Sequence, residues 1–270
     1  TAAARTLRLL LHPRIKLEAP GDWRGEGTRI LAIAALVITA RHYRLSAKRA
    51  LAGLLRRYLP KKTPHSLESD HSHDDRFAFL RAYALLADLE RKALTLEFIY
   101  GPAPKREAKG TNERRFSSRE FTHLKALLPW HELNSRVRSG ALSVQEFEPA
   151  LAAALDAWSR HRADAYRDWS ATADEIARLW SECIVLLGGG VALWERLDAW
   201  QAELRIPLFI PTLADLARRA AMTGGPLDVA LRFAENAHGR IGEDTEPAES
   251  LADSYITLAR AVLGGAEDEA

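Results

Sequence analysis

From residue 117 onward the sequence repeatedly sets a hydroxyl residue three positions ahead of an acid, as at Ser117–Glu120, Ser143–Glu146, Thr172–Glu175 and Thr212–Asp215. At a helix start the hydroxyl takes an exposed backbone N–H, and the acid reaches back to the capping residue. Each box is therefore read as opening a helix. Apolar residues with helical spacing follow, and Gly or Gly-Gly closes most of the runs. These signals place helices near 117–139, 173–187, 191–205, 213–222, 226–238 and 247–263. Pro129 is expected to interrupt the first of them, with Gly140 closing a short second piece. Pro149 is expected to limit residues 143–147 to a turn before a helix from Pro149 to about Trp169.

The first hundred residues read the same way. A short helix over 2–11 ends at His12-Pro13, and a loop rich in Pro and Gly follows to residue 27. Thr28 caps a helix to about His42, and Ser46 starts another to about Leu59, where Pro60 stops it. Residues 60–74 are polar, and the apolar spacing predicts one long helix over Asp75–Tyr100. Alternating apolar segments and hairpin-turn dipeptides are absent, so no sheet is expected. The fold class is all-α, about ten helices in a multi-helix bundle or in stacked helical hairpins. No 33–45-residue repeat with a familiar signature is visible. Trp158, Trp169 and Trp180 lie 11 apart, which sets Trp158 and Trp169 on one face of a single helix as part of a core stripe.

Composition excludes several classes. With one cysteine, Cys183, the 270-residue chain has no intrachain disulfide framework and no Cys-x-x-Cys motif. Its setting, Trp-Ser-Glu-Cys-Ile-Val-Leu-Leu, is that of a buried, inert thiol. No apolar stretch approaches the ~20 residues of a spanning helix, and a cytoplasmic location is expected. No Gly-x-Ser-x-Gly elbow is present. Gly188-Gly189-Gly190 lacks the strand and the Lys-Ser/Thr of a phosphate loop, so it reads as a helix break or a close helix crossing.

Charge is divided unevenly. Residues 1–125 hold 25 Lys+Arg against 13 Asp+Glu, and residues 126–270 hold 13 against 23. On a helix over 46–59, Leu51, Leu54, Leu55 and Tyr58 share one direction, while Lys48, Arg49, Arg56 and Arg57 point nearly opposite. Arg41, Arg44, Lys61 and Lys62 extend that basic surface. A row of cations on a rigid element suits a nucleic-acid backbone or another polyanion, such as an acidic protein. No interleaved aromatics are present for stacking bases. The domain reading is a basic helical part (1–100), a polar linker or loop (101–116) and an acidic helical part (117–270) that meets other protein subunits. The expected function is a non-enzymatic interaction subunit without a cofactor.

The alternative is a metal site. Glu-x-x-His recurs at Glu68–His71, Glu120–His123 and Glu235–His238. With Glu90 and Glu203 upstream, the last two pairs loosely resemble the ligand order of ribonucleotide-reductase-like di-iron proteins, and that resemblance implies a carboxylate-bridged centre within a helical bundle. The surrounding residues point elsewhere. Glu120 already belongs to a capping box, Glu90 sits more than two turns from its expected helix end, and two Pro/Gly breaks separate Glu203 from Glu235. The weaker candidates are His71, His73, Asp74 and Asp75 in one polar segment, where a side chain equally serves to cap the next helix.

Overall fold

The computed structural model describes residues 73–101, 121–162, 169–204 and 206–240, together with 52, 53, 55, 56 and 59. The described residues are all-α, with eight helices and no strand. The chain divides into two compact units, Thr1–Ala165 and Tyr166–Ala270. The expected helices over 2–11, 28–42 and 247–263, and the linker beyond Gly101, lie outside the described residues. None of the described helices is long and apolar enough to cross a membrane.

The first unit contains α1 (His73–Glu90), α2 (Leu96–Tyr100), α3 (Thr122–Arg138) and α4 (Val144–Arg162). α1 packs on α3, and α3 on α4. Phe79, Leu80, Leu124, Leu127, Trp130, Phe147, Leu151 and Trp158 fill the space between them, each at most 2% exposed. Tyr100 meets Phe121 edge to face at 5.4 Å.

The long helix expected over Asp75–Tyr100 is broken at Glu90. Arg91 turns left-handed (φ 55°), its N–H bonds to Asp88 C=O at 3.1 Å, and Lys92 N–H bonds to Ala87 C=O at 2.9 Å. That pair of bonds is a Schellman ending, built here without glycine. Thr95 then caps α2, its hydroxyl accepting from Phe98 N–H at 3.1 Å. α3 ends in the same motif with Gly140 at φ 64°, the residue expected to close it.

Neither internal proline acts as expected. α3 runs unbroken through Pro129, because Leu124, Leu127, Trp130 and His131 on both sides of it are buried. A proline inside a helix costs about 3 kcal/mol, and burying several large apolar side chains at about 1.5–3 kcal/mol each outweighs that. Residues 144–149 are helical rather than a turn, and Pro149 lies inside α4. The Ser143–Glu146 box forms as the sequence predicts. Ser143 N–H and Oγ–H both donate to Glu146 Oε2 (2.9 and 2.8 Å), and Glu146 N–H donates back to Ser143 Oγ (3.3 Å). Once that box fixes the first turn, Pro149 removes only a later bond, toward exposed Gln145.

The second unit contains α5 (Ser170–Leu186), α6 (Val191–Glu203), α7 (Ile210–Met222) and α8 (Leu227–Gly239). They form two helical hairpins, α5–α6 and α7–α8, stacked so that α5 meets α7 and α6 meets α8. The hairpins repeat at a spacing of 36–40 residues. α5 and α7 start 40 apart, α6 and α8 start 36 apart, and Gly188-Gly189 has its counterpart in Gly224-Gly225. Buried Trp180 and Trp200 (ring centroids 5.8 Å apart), Ile176, Trp194, Leu197, Leu213, Leu216 and Phe233 form the core.

The two hairpin loops dock on each other. A Cβ on Gly189 (φ 80°) would lie 2.3 Å from Thr223 C=O, so the glycine stretch is both a helix break and a close crossing. Trp194 Nε1–H reaches Thr223 Oγ1 at 3.2 Å, locking the loops together.

Two expected capping boxes do not form here. α5 begins at Ser170 and α7 at Ile210, so Thr172 and Thr212 lie within the first turn rather than before it, and both are buried. Trp158 and Trp169 are both core residues, but they are not on one helix. Trp158 belongs to α4, and Trp169, which is not helical, precedes α5.

Candidate polyanion interface

Of the eight cations singled out from the sequence, Arg56 is the one the structure describes. Arg41, Arg44, Lys48, Arg49, Arg57, Lys61 and Lys62 lie outside the described residues, as does His71. Around Arg56 the local pattern follows the sequence: Leu55 and Leu59 are buried, Arg56 is exposed, and Leu59 N–H bonds to Leu55 C=O at 2.8 Å.

The Arg56 guanidinium grips the Glu90 carboxylate with two parallel bonds, Nε to Oε1 at 2.5 Å and Nη2 to Oε2 at 2.6 Å. Lys92 Nζ approaches the same carboxylate at 3.3 Å. Glu90 ends α1, where the helix dipole disfavours an anion. The two cations reverse that, and the hydrogen bond from Arg56, ahead of that from Lys92, holds the Glu90 carboxyl below its usual range. The same bond raises the Arg56 pKa. Arg56 thus ties its segment to the end of α1, and its fork is already engaged.

Beside this junction the segment 91–97 separates two open clefts. One, of about 380 Å³, is lined by Asp88, Arg91, Lys92, Glu132 and Arg136. The other, of about 600 Å³, is lined by Glu97, Lys125, Pro129, Arg160 and His161. Both mix signs, and Arg160 pairs with Asp156 at 2.7 Å. Residues 73–101 and 121–162 of the first unit are in fact balanced, together carrying nine Lys+Arg and nine Asp+Glu. The excess lies in residues 1–72, with 14 against 5, and 102–120, with six against three. Taken whole, the first unit carries 29 Lys+Arg against 18 Asp+Glu, and the second 9 against 18.

The metal candidates do not converge among the described residues, where no group of three or more His, Cys, Asp or Glu is placed to hold an ion. His73, Asp74 and Asp75 fall in the first turn of α1. Glu90 is occupied by Arg56 and Lys92, while Glu203, Glu235 and His238 are exposed on α6 and α8. Glu68 and Glu120 lie outside the described residues. His131 is buried against α1, and burial first, then the charge of Arg81, holds its pKa well below the ordinary value, so it is neutral. Cys183 is buried in α5, as its setting predicts.

A polar seam between α5 and α7 was not visible as such in the sequence. Asp174, 3% exposed, accepts from Phe209 N–H at 3.1 Å and pairs with Arg178 at 3.1 Å. Arg178 Nε donates to buried Thr212 Oγ1 at 3.0 Å. Arg219 donates to Ser181 Oγ at 3.2 Å and pairs with Asp215 at 2.6 Å. The usable signal is Asp-x-x-x-Arg inside an apolar helix, present at 174–178 and again at 215–219. That spacing stacks the two charges on one face. The seam joins helix to helix and consumes its own donors, so it is structural.

Compared with known protein families, the chain matches none, and no curated protein matches it either.

Proposed function

We propose that the chain is a helical interaction subunit that presents a basic segment to a polyanion, foremost a nucleic-acid backbone, and its acidic unit to protein. The observation that carries this reading is where the positive charge lies. Residues 73–101 and 121–162 balance their own charge, and the surplus belongs to residues 1–72 and 102–120. Charge that a scaffold leaves unbalanced is available for counterion release on binding phosphates. Contacts of this kind fix position on a backbone and carry little base discrimination.

The test is a salt titration of binding to a fluorescent duplex of mixed sequence, comparing the natural chain with a variant reversed to Glu at Arg44, Lys48, Arg49 and Arg57. Binding should weaken steeply with salt, and the variant should lose affinity at low salt. Its log–log slope should shrink by about one for each phosphate contact removed. Equal affinity and slope in the two proteins would overturn the proposal. Arg56 is left out of the set because its guanidinium is committed to Glu90.

A further inference from the structure

Eight large apolar side chains are exposed among the described residues. Five of them, Val185, Leu186, Val191, Met222 and Leu227, flank the two hairpin loops of the second unit, and they are 37–65% exposed. Gly189 abuts Thr223 C=O and Trp194 bonds to Thr223, so the loops lie side by side. The end of α5, the start of α6, the end of α7 and the start of α8 therefore meet at one end of the unit.

That end carries no charge. Residues 183–194 and 220–227 contain no Asp, Glu, Lys or Arg, and the unit's 18 acids and nine cations all lie elsewhere in it. Glu182, Glu195, Arg219 and Asp228 bound the two stretches. An exposed apolar patch of a few hundred Å² rimmed by charged residues marks an interaction site. The cost of leaving these side chains in water falls only when something covers them.

We infer that the loop end of the second unit is a self-association surface, on which two copies of the chain meet about a twofold axis. Charge argues for this occupant. Over the rest of the unit acids outnumber cations by two to one, so two copies meeting there bring like charges together. A twofold contact sets a patch against itself, and an uncharged apolar face is its own complement. An anionic membrane repels so acidic a unit. With the glycine backbone between the side chains, two such faces cover about 1,200 Å², the lower limit for a stable interface. The dimer is accordingly weak, and it doubles the basic segments offered to a polyanion. This deepens the protein-contacting role proposed above for the acidic unit and is independent of polyanion binding.

Sedimentation equilibrium of the full-length chain, without nucleic acid, tests this. Between about 1 and 200 µM the natural chain should pass from monomer to dimer, with a micromolar midpoint. Raising salt from about 0.1 to 0.5 M should leave the dimer intact, because the contact is apolar. Leu186→Glu and Met222→Glu, each at a position at least half exposed, should keep the helical circular dichroism and remain monomeric throughout. The Arg44, Lys48, Arg49 and Arg57 reversal should dimerise like the natural chain, so failure of polyanion binding and failure of this contact are read separately. A natural chain that stays monomeric would overturn the inference. So would a dimer that persists in both Glu variants, which would place the contact elsewhere. A dimer that dissolves at high salt would overturn it in favour of pairing between basic and acidic parts of two copies.

Discussion

The two units solve the problem of charge in opposite ways. In the first, residues 73–101 and 121–162 carry nine cations and nine anions, their core is aromatic and aliphatic, and the buried imidazole of His131 is kept neutral. In the second, acids outnumber cations by two to one, yet a seam of charge joins α5 to α7, with Asp174 buried and Arg178, Asp215 and Arg219 half-buried, each finding partners on the facing helix or on its own. A buried carboxylate is tolerable only when paired and hydrogen-bonded. The lesson is that net charge does not say where ionic structure lies. The unit with the large positive surplus has neutral packing among its described residues, and the acidic unit is held together in part by arginines.

The largest expected effect attacks the seam. Asp174→Ala removes the acceptor for Phe209 N–H at the start of α7 and the partner of Arg178 together. Leaving such groups unsatisfied costs about 1–3 kcal/mol. The ion pair adds little because Arg178 reaches solvent. Asp174→Asn, which keeps an acceptor, should lose less. Hydrogen exchange should show the loss across α5–α8 and spare α1–α4. Equal loss in both sets would mean that the units do not unfold separately, and the contrast drawn between them would fail.

The next prediction exploits the neutral imidazole of the first unit. The folded-state pKa of His131 lies below its unfolded value, so the unfolded chain binds more protons as pH falls. Stability is therefore fully present above about pH 6.5 and declines below it, with a limiting slope of about 1.4 kcal/mol per pH unit for one proton. Urea unfolding at pH 7.0 and 5.5, followed through the exchange of α1 and α3, reads this directly. His131→Gln should flatten the dependence in the first unit and leave the second unchanged. An undiminished slope in the variant would assign the acid sensitivity to other groups.

How much of this was legible in sequence depends on how local each determinant is. Helical class followed from 3.6-residue periodicity and from end signals such as Ser143–Glu146 and Gly140, which act within one turn. The Glu90 break was missed because a left-handed arginine takes the place that glycine takes at Gly140, Gly188 and Gly224. The runs through Pro129 and Pro149 were missed because burial around them decides against the local penalty. Thr172–Glu175 and Thr212–Asp215 misled because the same spacing occurs one turn further into a helix, where it faces a neighbour instead of the helix start. For the candidate site, the amphipathic placement of Leu55 and Arg56 was readable. The partner of Arg56 was not, since Glu90 lies 34 positions away and only the packing brings the two together.

The smallest expected effect concerns that pair. Arg56 is more than half exposed while Glu90 is largely covered, so the bidentate geometry is good but solvent screens it. A double-mutant cycle of Arg56→Ala with Glu90→Gln should give a coupling of no more than about 1 kcal/mol. Its pH dependence separates it from His131. The Glu90 carboxyl titrates below its unfolded value, so the pair contributes fully above about pH 4.3 and is lost only as pH falls through the lower folded-state pKa. Between pH 7 and 5 the coupling should hold steady while His131 erodes the first unit. In the salt titration, Arg56→Ala should leave the slope almost unchanged, because this cation already has its anion. A slope loss as large as that of Arg57→Ala would show that Arg56 leaves Glu90 for the polyanion, and the division between the balanced segments and the surplus charge would have to be redrawn at that residue.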